Sequence, residues 1–233
     1  MSGLRAALFD LDDTLYPERS FVDGGFRAVG RFLGPRLGRS PGTIARRLKV
    51  LHDRDGRGAL FDTLFADLGV HEPELVPAAV LVYRTHRPRL RPFDGVVAGL
   101  DRLRASGLRT GLVSDGLASV QRAKLAALPD VARRLDVVVM TDELGAGHAK
   151  PASTGFLVAC RLLDVDPSTA VYVANDPRKD FAGARSAGLG TIRSGLLPDE
   201  GGPVAVRAQD GDDADGVGAT FTDAVELILG DQR

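Results

Sequence analysis

Three carboxylates stand within four residues at Asp10-Leu11-Asp12-Asp13, directly after the apolar run Leu4–Phe9. Like charges this close repel one another, and they remain ionised together only where water, cations or protons compensate. The alternation of Asp10 and Asp12 sets both at the carboxyl end of a strand, where open α/β sheets bind ligands. Such a pair can divide a reaction between them: one carboxylate attacks as a nucleophile while the other moves protons. A divalent cation would keep the attacker ionised and let it approach an anionic substrate. Asp13 reads equally well as a turn residue bonded to its own backbone.

Those groups need a strand beneath them. Leu4–Phe9 reads as a buried one, interrupted only by Arg5 near its start. From Ser20 to Arg91 the pattern is helical. Phe21, Phe26, Val29, Phe32 and Leu33 recur at helical spacing, Ser40 and Pro41 form a cap and first turn, and three further apolar stripes follow. Four helices exceed what a single βαβ crossover needs, so this stretch reads as an insert. Strands and helices then alternate. Strands are expected at Arg109–Val113, Val137–Met140, Ala170–Ala174, Gly190–Ile192 and Ala219–Phe221. Helices are expected at Gly95–Ser106, Leu117–Leu128, Lys150–Leu163, Asp180–Ala187 and Thr222–Leu229. That order implies a mainly parallel, Rossmann-like α/β sheet covered on both faces. No Gly-x-Gly-x-x-Gly follows the first strand, which argues against dinucleotide binding. Pro198–Gly218 reads as an irregular loop, and its Asp210–Gly216 cluster fails the calcium-loop register.

Asp10-Leu11-Asp12-Asp13-Thr14 resembles the first motif, Asp-x-Asp-x-Thr, of the haloacid dehalogenase superfamily. Three further motifs follow in that family's order, at Ser114-Asp115-Gly116, Lys150-Pro151 and Asn175–Asp180. The resemblance implies a core at residues 1–16 and 92–233 and a helical C1 cap at 17–91, closing over the site and choosing the substrate. It also implies that Asp10 attacks phosphorus to form an aspartyl-phosphate. Asp12 would serve as acid and base, and its backbone carbonyl would bind the metal. Ser114 would bond a phosphate oxygen, with the N–H groups of Asp115 and Gly116 assisting at a helix N-terminus; a plain N-cap is the rival reading for Ser114. Lys150 would offset the charge of Asp10 and of the phosphoryl group.

The fourth motif departs from the family pattern, with Ala174-Asn175 where Gly-Asp is usual. Either Asn175 or Asp176 takes the metal-ligand position. Asp176 is favoured, because with Asp180 it keeps the acid spacing and leaves Asp180 to orient Lys150. Thr14 is expected to bond the Asp10 carboxylate or a backbone group. The implied activity is a Mg2+-dependent phosphatase of a small phosphorylated metabolite, with a phosphomutase or a catalytically weak binding module as alternatives. Aspartate at position 12 favours phosphatases over dehalogenases, because a halide leaving group needs no proton. In the insert, Arg84 and His86 are named as groups that could reach substrate, and Arg46, Arg47, Arg54 and Arg57 as solvated charges.

Composition narrows the partners. The chain has 233 residues, 44% hydrophobic and 26% charged, with a net charge of −1. No global field points to nucleic acid or an anionic membrane. No window is long and apolar enough to span a bilayer, and no secretory leader is evident, so the expected location is cytoplasmic. The lone Cys160 lies in an apolar helical stretch and reads as a core thiol.

Overall fold

A computed structural model describes residues 3–56, 58–195 and 214–230. Residues 1–17 and 91–233 form one compact unit, and residues 18–90 another.

The first unit is built on six parallel strands in the order β3-β2-β1-β4-β5-β6. They are β1 (Ala6–Phe9), β2 (Arg109–Ser114), β3 (Val137–Met140), β4 (Ala170–Ala174), β5 (Gly190–Ser194) and β6 (Gly216–Gly218). Phe9 pairs with Leu112 on one side and Val173 on the other, so β1 is central. Successive side chains of β1 point to opposite faces. Ala6 and Leu8 join a core with Val113, Phe156 and Tyr172. Phe9 faces the other way and stacks on Phe221, with ring centroids 5.5 Å apart. Helices α8 (Thr154–Leu163) and α9 (Phe181–Ser186) cover the first face. On the second, α5 (Val96–Ala105) meets α10 (Phe221–Gly230), and a side chain at Gly99 would overlap the Phe221 ring. Two helices link β2 to β3: α6 (Ala118–Ala126) and the short α7 (Pro129–Ala132).

Several boundaries differ from the sequence expectation. The last strand ends at Gly218, before its expected start. Thr220 and Asp223 cap each other's backbone reciprocally, which starts α10 at Phe221 and leaves 219–221 unavailable to the sheet. β5 runs on to Ser194 because Ile192–Ser194 pairs with β6. The helix expected from Lys150 begins only at Thr154. The acidic cluster lies partly outside the described residues, as do Arg57 and most of the 198–218 loop; Asp215 is described, and its carboxylate accepts from the backbone and hydroxyl of Thr191 at 2.8 Å each. No helix among the described residues is long and apolar enough to cross a membrane.

The chain leaves this unit after Pro17 and re-enters at Arg91. Those two roots are tied together, because the Phe93 N–H donates to the Leu15 carbonyl at 3.0 Å.

The second unit holds α1 (Glu18–Leu33), α2 (Pro41–Asp55), α3 (Leu60–Leu68) and α4 (Leu75–Thr85) around an apolar core that includes Phe26, Leu33, Leu48, Leu64 and Ala79. Ser40 caps α2 by accepting from the Thr43 N–H at 3.2 Å, with Pro41 in the first turn. Gly30 is required where α1 crosses α2, because any Cβ there would strike the Pro41 carbonyl. His86 packs its ring against Phe21 and lies 2.7 Å from the Tyr83 carbonyl, which gives it a structural place in this unit.

Candidate active site

Asp10 continues the β1 ladder, its N–H donating to the Val173 carbonyl at 3.0 Å. By strand alternation it points to the face of Ala6 and Leu8, and there it meets Lys150. The Lys150 ammonium donates to Asp10 Oδ1 at 2.6 Å, Asp180 Oδ1 at 2.6 Å and the Tyr172 hydroxyl at 2.9 Å. All three of its protons are thereby directed. Burial pushes the Asp10 carboxyl up to about 6, against the pull of Lys150. Burial also works against the Lys150 charge, but the surrounding acceptors, Asp10 foremost, hold it well above its ordinary range. Asp10 Oδ2 accepts no hydrogen bond among the described residues.

Asp12 lies just beyond the strand. Its Oδ1 accepts from Lys124 Nζ at 2.9 Å and from the Tyr16 hydroxyl; its Oδ2 accepts from Lys124 at 2.7 Å and from the Gln121 amide at 3.0 Å. Burial would raise this carboxyl, but Lys124 chiefly, with Tyr16 and Gln121, holds it below the usual range. Asp13 occupies a left-handed turn, φ 54°.

Ser114 closes β2. It does not cap α6, which has Leu117 at its N-cap, and its Oγ accepts instead from Gln121 Nε2 at 2.7 Å. Asp115 and Gly116 precede that cap, so their N–H groups lie outside the helix's first turn. The Ala118 N–H is taken by the Asp142 carboxylate at 2.9 Å. Asp115 acts through its side chain: it accepts from the Lys150 N–H at 3.1 and 3.2 Å and from the Thr141 hydroxyl at 2.7 Å. The loop carrying Lys150 is thus held against the end of β2. It is also pressed by α9, because a Cβ on Gly183 would overlap the Pro151 carbonyl.

In the fourth motif, Thr14 donates its hydroxyl to Asn175 Oδ1 at 3.3 Å, just past the end of β4, and not to Asp10, correcting that expectation; the Asp12–Tyr16 bridge closes the turn that carries it. Asp180 is fully buried, with Oδ2 accepting from the Asp176 N–H at 3.1 Å. Asp176 is held by Arg178, whose guanidinium spans both carboxylate oxygens at 3.0 and 2.9 Å.

A family model for haloacid dehalogenase-like hydrolases matches residues 4–188. The chain belongs to the haloacid dehalogenase-like hydrolases. It is 36% identical to a glyceraldehyde 3-phosphate phosphatase of Methanopyrus kandleri, over 82% of this chain and 83% of that one. It is 28% identical to a ribulose-1,5-bisphosphate 5-phosphatase of Halopiger xanaduensis, over 80% and 83%. Among solved structures, a haloacid dehalogenase family hydrolase of Deinococcus radiodurans, crystallised with phosphate and sodium, shares the fold. Its TM-score is 0.70 at 18% identity, covering 99% and 97% of the two chains.

In this hydrolase the donors for a metal are hard oxygens. No three His, Cys, Asp or Glu side chains among the described residues cluster closely enough to hold an ion alone. Magnesium, however, keeps several waters and needs only one or two carboxylates. The Asp10 carboxylate, nearly buried, fits that role. Asp176 fits less well, since Arg178 already neutralises it.

Sequence reading missed four residues of this haloacid dehalogenase-like site. Gln121 and Lys124 share the buried stripe of α6 with Leu125, a place for apolar side chains. Polar groups at core spacing were the available signal. Tyr172, in the apolar run of β4, carried a similar one: a buried hydroxyl needs a partner. Tyr16 offered none.

Proposed function

We propose that this hydrolase is a magnesium-dependent phosphatase that cleaves a small phosphate monoester through an aspartyl-phosphate on Asp10. The observation that carries the reading is the Asp10 carboxylate itself. One oxygen is fixed by Lys150 and the other accepts no hydrogen bond among the described residues, at the carboxyl end of the central strands, where Asp12 and Ser114 also lie. The names of the relatives support the reaction class, and glyceraldehyde 3-phosphate is the first ester to test.

The chain's own groups account for both half-reactions. Asp10 Oδ2 bonds to phosphorus as the ester P–O bond breaks; Asp12, which rests as a carboxylate, takes up a proton from solvent as substrate binds and passes it to the departing alkoxide. Asp12 then removes a proton from water, whose oxygen attacks phosphorus. Asp10 is released as carboxylate and inorganic phosphate leaves. Lys150 keeps Asp10 aligned and offsets the charge that gathers during transfer. The Ser114 hydroxyl donates to a phosphoryl oxygen. Asp10 and the Asp12 carbonyl, with Asp176 where Arg178 releases it, would hold magnesium, which would supply charge neutralisation for the phosphoryl group. The insert at 17–91 is assigned as a C1 cap from its place between the first two motifs.

Phosphate release is measured from a panel of phosphorylated metabolites with and without magnesium, for the wild type and Asp10→Asn. Magnesium-dependent release by the wild type alone is expected. Asp10→Asn retaining the wild-type rate would overturn the covalent route.

A further inference from the structure

We propose that Gln121 and Lys124 are positioning residues that lock the acid–base carboxylate and the phosphate-binding hydroxyl into one unit; this rests on the phosphatase reading above. Both side chains come from the same face of α6, three residues apart, and both are buried, at 3% and 4% exposure. A lysine in that place has little water to solvate it, and its ammonium meets both oxygens of Asp12, at 2.9 and 2.7 Å. Two contacts fix the direction of the carboxylate as well as its distance.

Gln121 supplies the link. Its Nε2 lies 2.7 Å from Ser114 Oγ and 3.0 Å from Asp12 Oδ2, one N–H for each. The amide can face only this way, since the reverse would turn its oxygen on a carboxylate. Ser114 Oγ, already accepting from Gln121, keeps its own hydrogen for another acceptor. A phosphate-binding hydroxyl must do just that. The same amide therefore sets the donor for the phosphoryl group and the orientation of the proton-transferring carboxylate.

A merely structural clamp would lower every rate alike when broken. A positioning clamp makes the loss depend on the leaving group, because a poor one needs a placed proton and a good one does not. The probes are phenyl phosphate and p-nitrophenyl phosphate, alike in size; phenol has a pKa of about 10, like tyrosine, while nitrophenol is far more acidic. The readout is kcat/KM, which reports steps up to the first departure. Positioned acids contribute about 10²–10⁴-fold. Lys124→Met also removes the charge that keeps Asp12 ionised, so each variant is compared at its own pH of maximum rate. There Lys124→Met is expected to lower kcat/KM for phenyl phosphate at least about tenfold more than for p-nitrophenyl phosphate. Gln121→Met, which leaves no buried charge and is the safer variant for folding, is expected to move the ratio the same way and also to raise KM for both esters. Equal losses for the two esters, or none, in either folded variant overturn the clamp alone. So does a wild type that cleaves p-nitrophenyl phosphate but not phenyl phosphate. Failure of the wild type on both esters, or full activity in Asp10→Asn, overturns the phosphatase reading and the clamp with it.

Discussion

Lys150 Nζ stands 2.6 Å from Asp10 Oδ1 and 2.6 Å from Asp180 Oδ1, so one buried ammonium serves two buried carboxylates. Removing it leaves like charges facing each other in low dielectric, and breaking a buried pair costs about 3–5 kcal/mol. Lys150→Met is expected to lose that much stability in urea unfolding and to lose turnover altogether. A variant as stable as the wild type would show that the carboxylates do not depend on it.

Gly183→Ala tests the loop that delivers this lysine. The added methyl would overlap the Pro151 carbonyl, and backbone there cannot move freely. Overpacking of this kind costs about 1–3 kcal/mol. Thermal melts are expected to fall accordingly, and kcat to fall further than the melt alone explains, because Lys150 moves with the loop.

Asp136 gives a pH signature away from the site. Burial would raise its carboxyl, but the Thr110 N–H at 2.8 Å and Arg104 at 3.0 Å hold it below the usual range. A depressed carboxyl stabilises the fold above its unfolded pKa of about 3.9, and that contribution fades as pH falls through the folded value. Asp136→Asn is therefore expected to be less stable than the wild type at pH 7, by about 1–2 kcal/mol for the weakened hydrogen bonds. The two proteins converge as pH falls below the unfolded value of about 3.9 and through the lower folded one. A gap that stays constant with pH would contradict the assignment.

Cys160 is 1% exposed, and burial pushes its thiol up to about 11. The thiolate is the reactive form. Ellman's reagent at pH 8 is expected to find no thiol in the native protein and one per chain in guanidinium.

Much of the frame was legible because it rests on local pattern. The β-branched run Val137–Met140 and the apolar run Ala170–Ala174 became strands at those bounds, and Ser40-Pro41 became the start of α2. Where tertiary pairing sets the limit, the sequence was less informative: β5 lengthens because β6 lies beside it, and the strand expected at 219–221 yields to a helix cap. The site shows the same division. Asp10, Ser114, Lys150 and Asp180 stand in recognisable short motifs. Lys124 reaches Asp12 from 112 residues away, in a helix whose sequence carries only a misplaced polar pair. Arg178 neutralising Asp176 was likewise invisible, since an adjacent cation can point anywhere.

One hydrogen bond, from Phe93 to Leu15, fastens the exit and the return of the chain side by side. An excursion that leaves and rejoins at the same spot imposes no tension on the strands it interrupts. Its length and content can drift, shrink or be swapped for another helical segment while the six-strand order persists. The inserted helices can thus vary on a parallel-sheet frame that never has to be rebuilt.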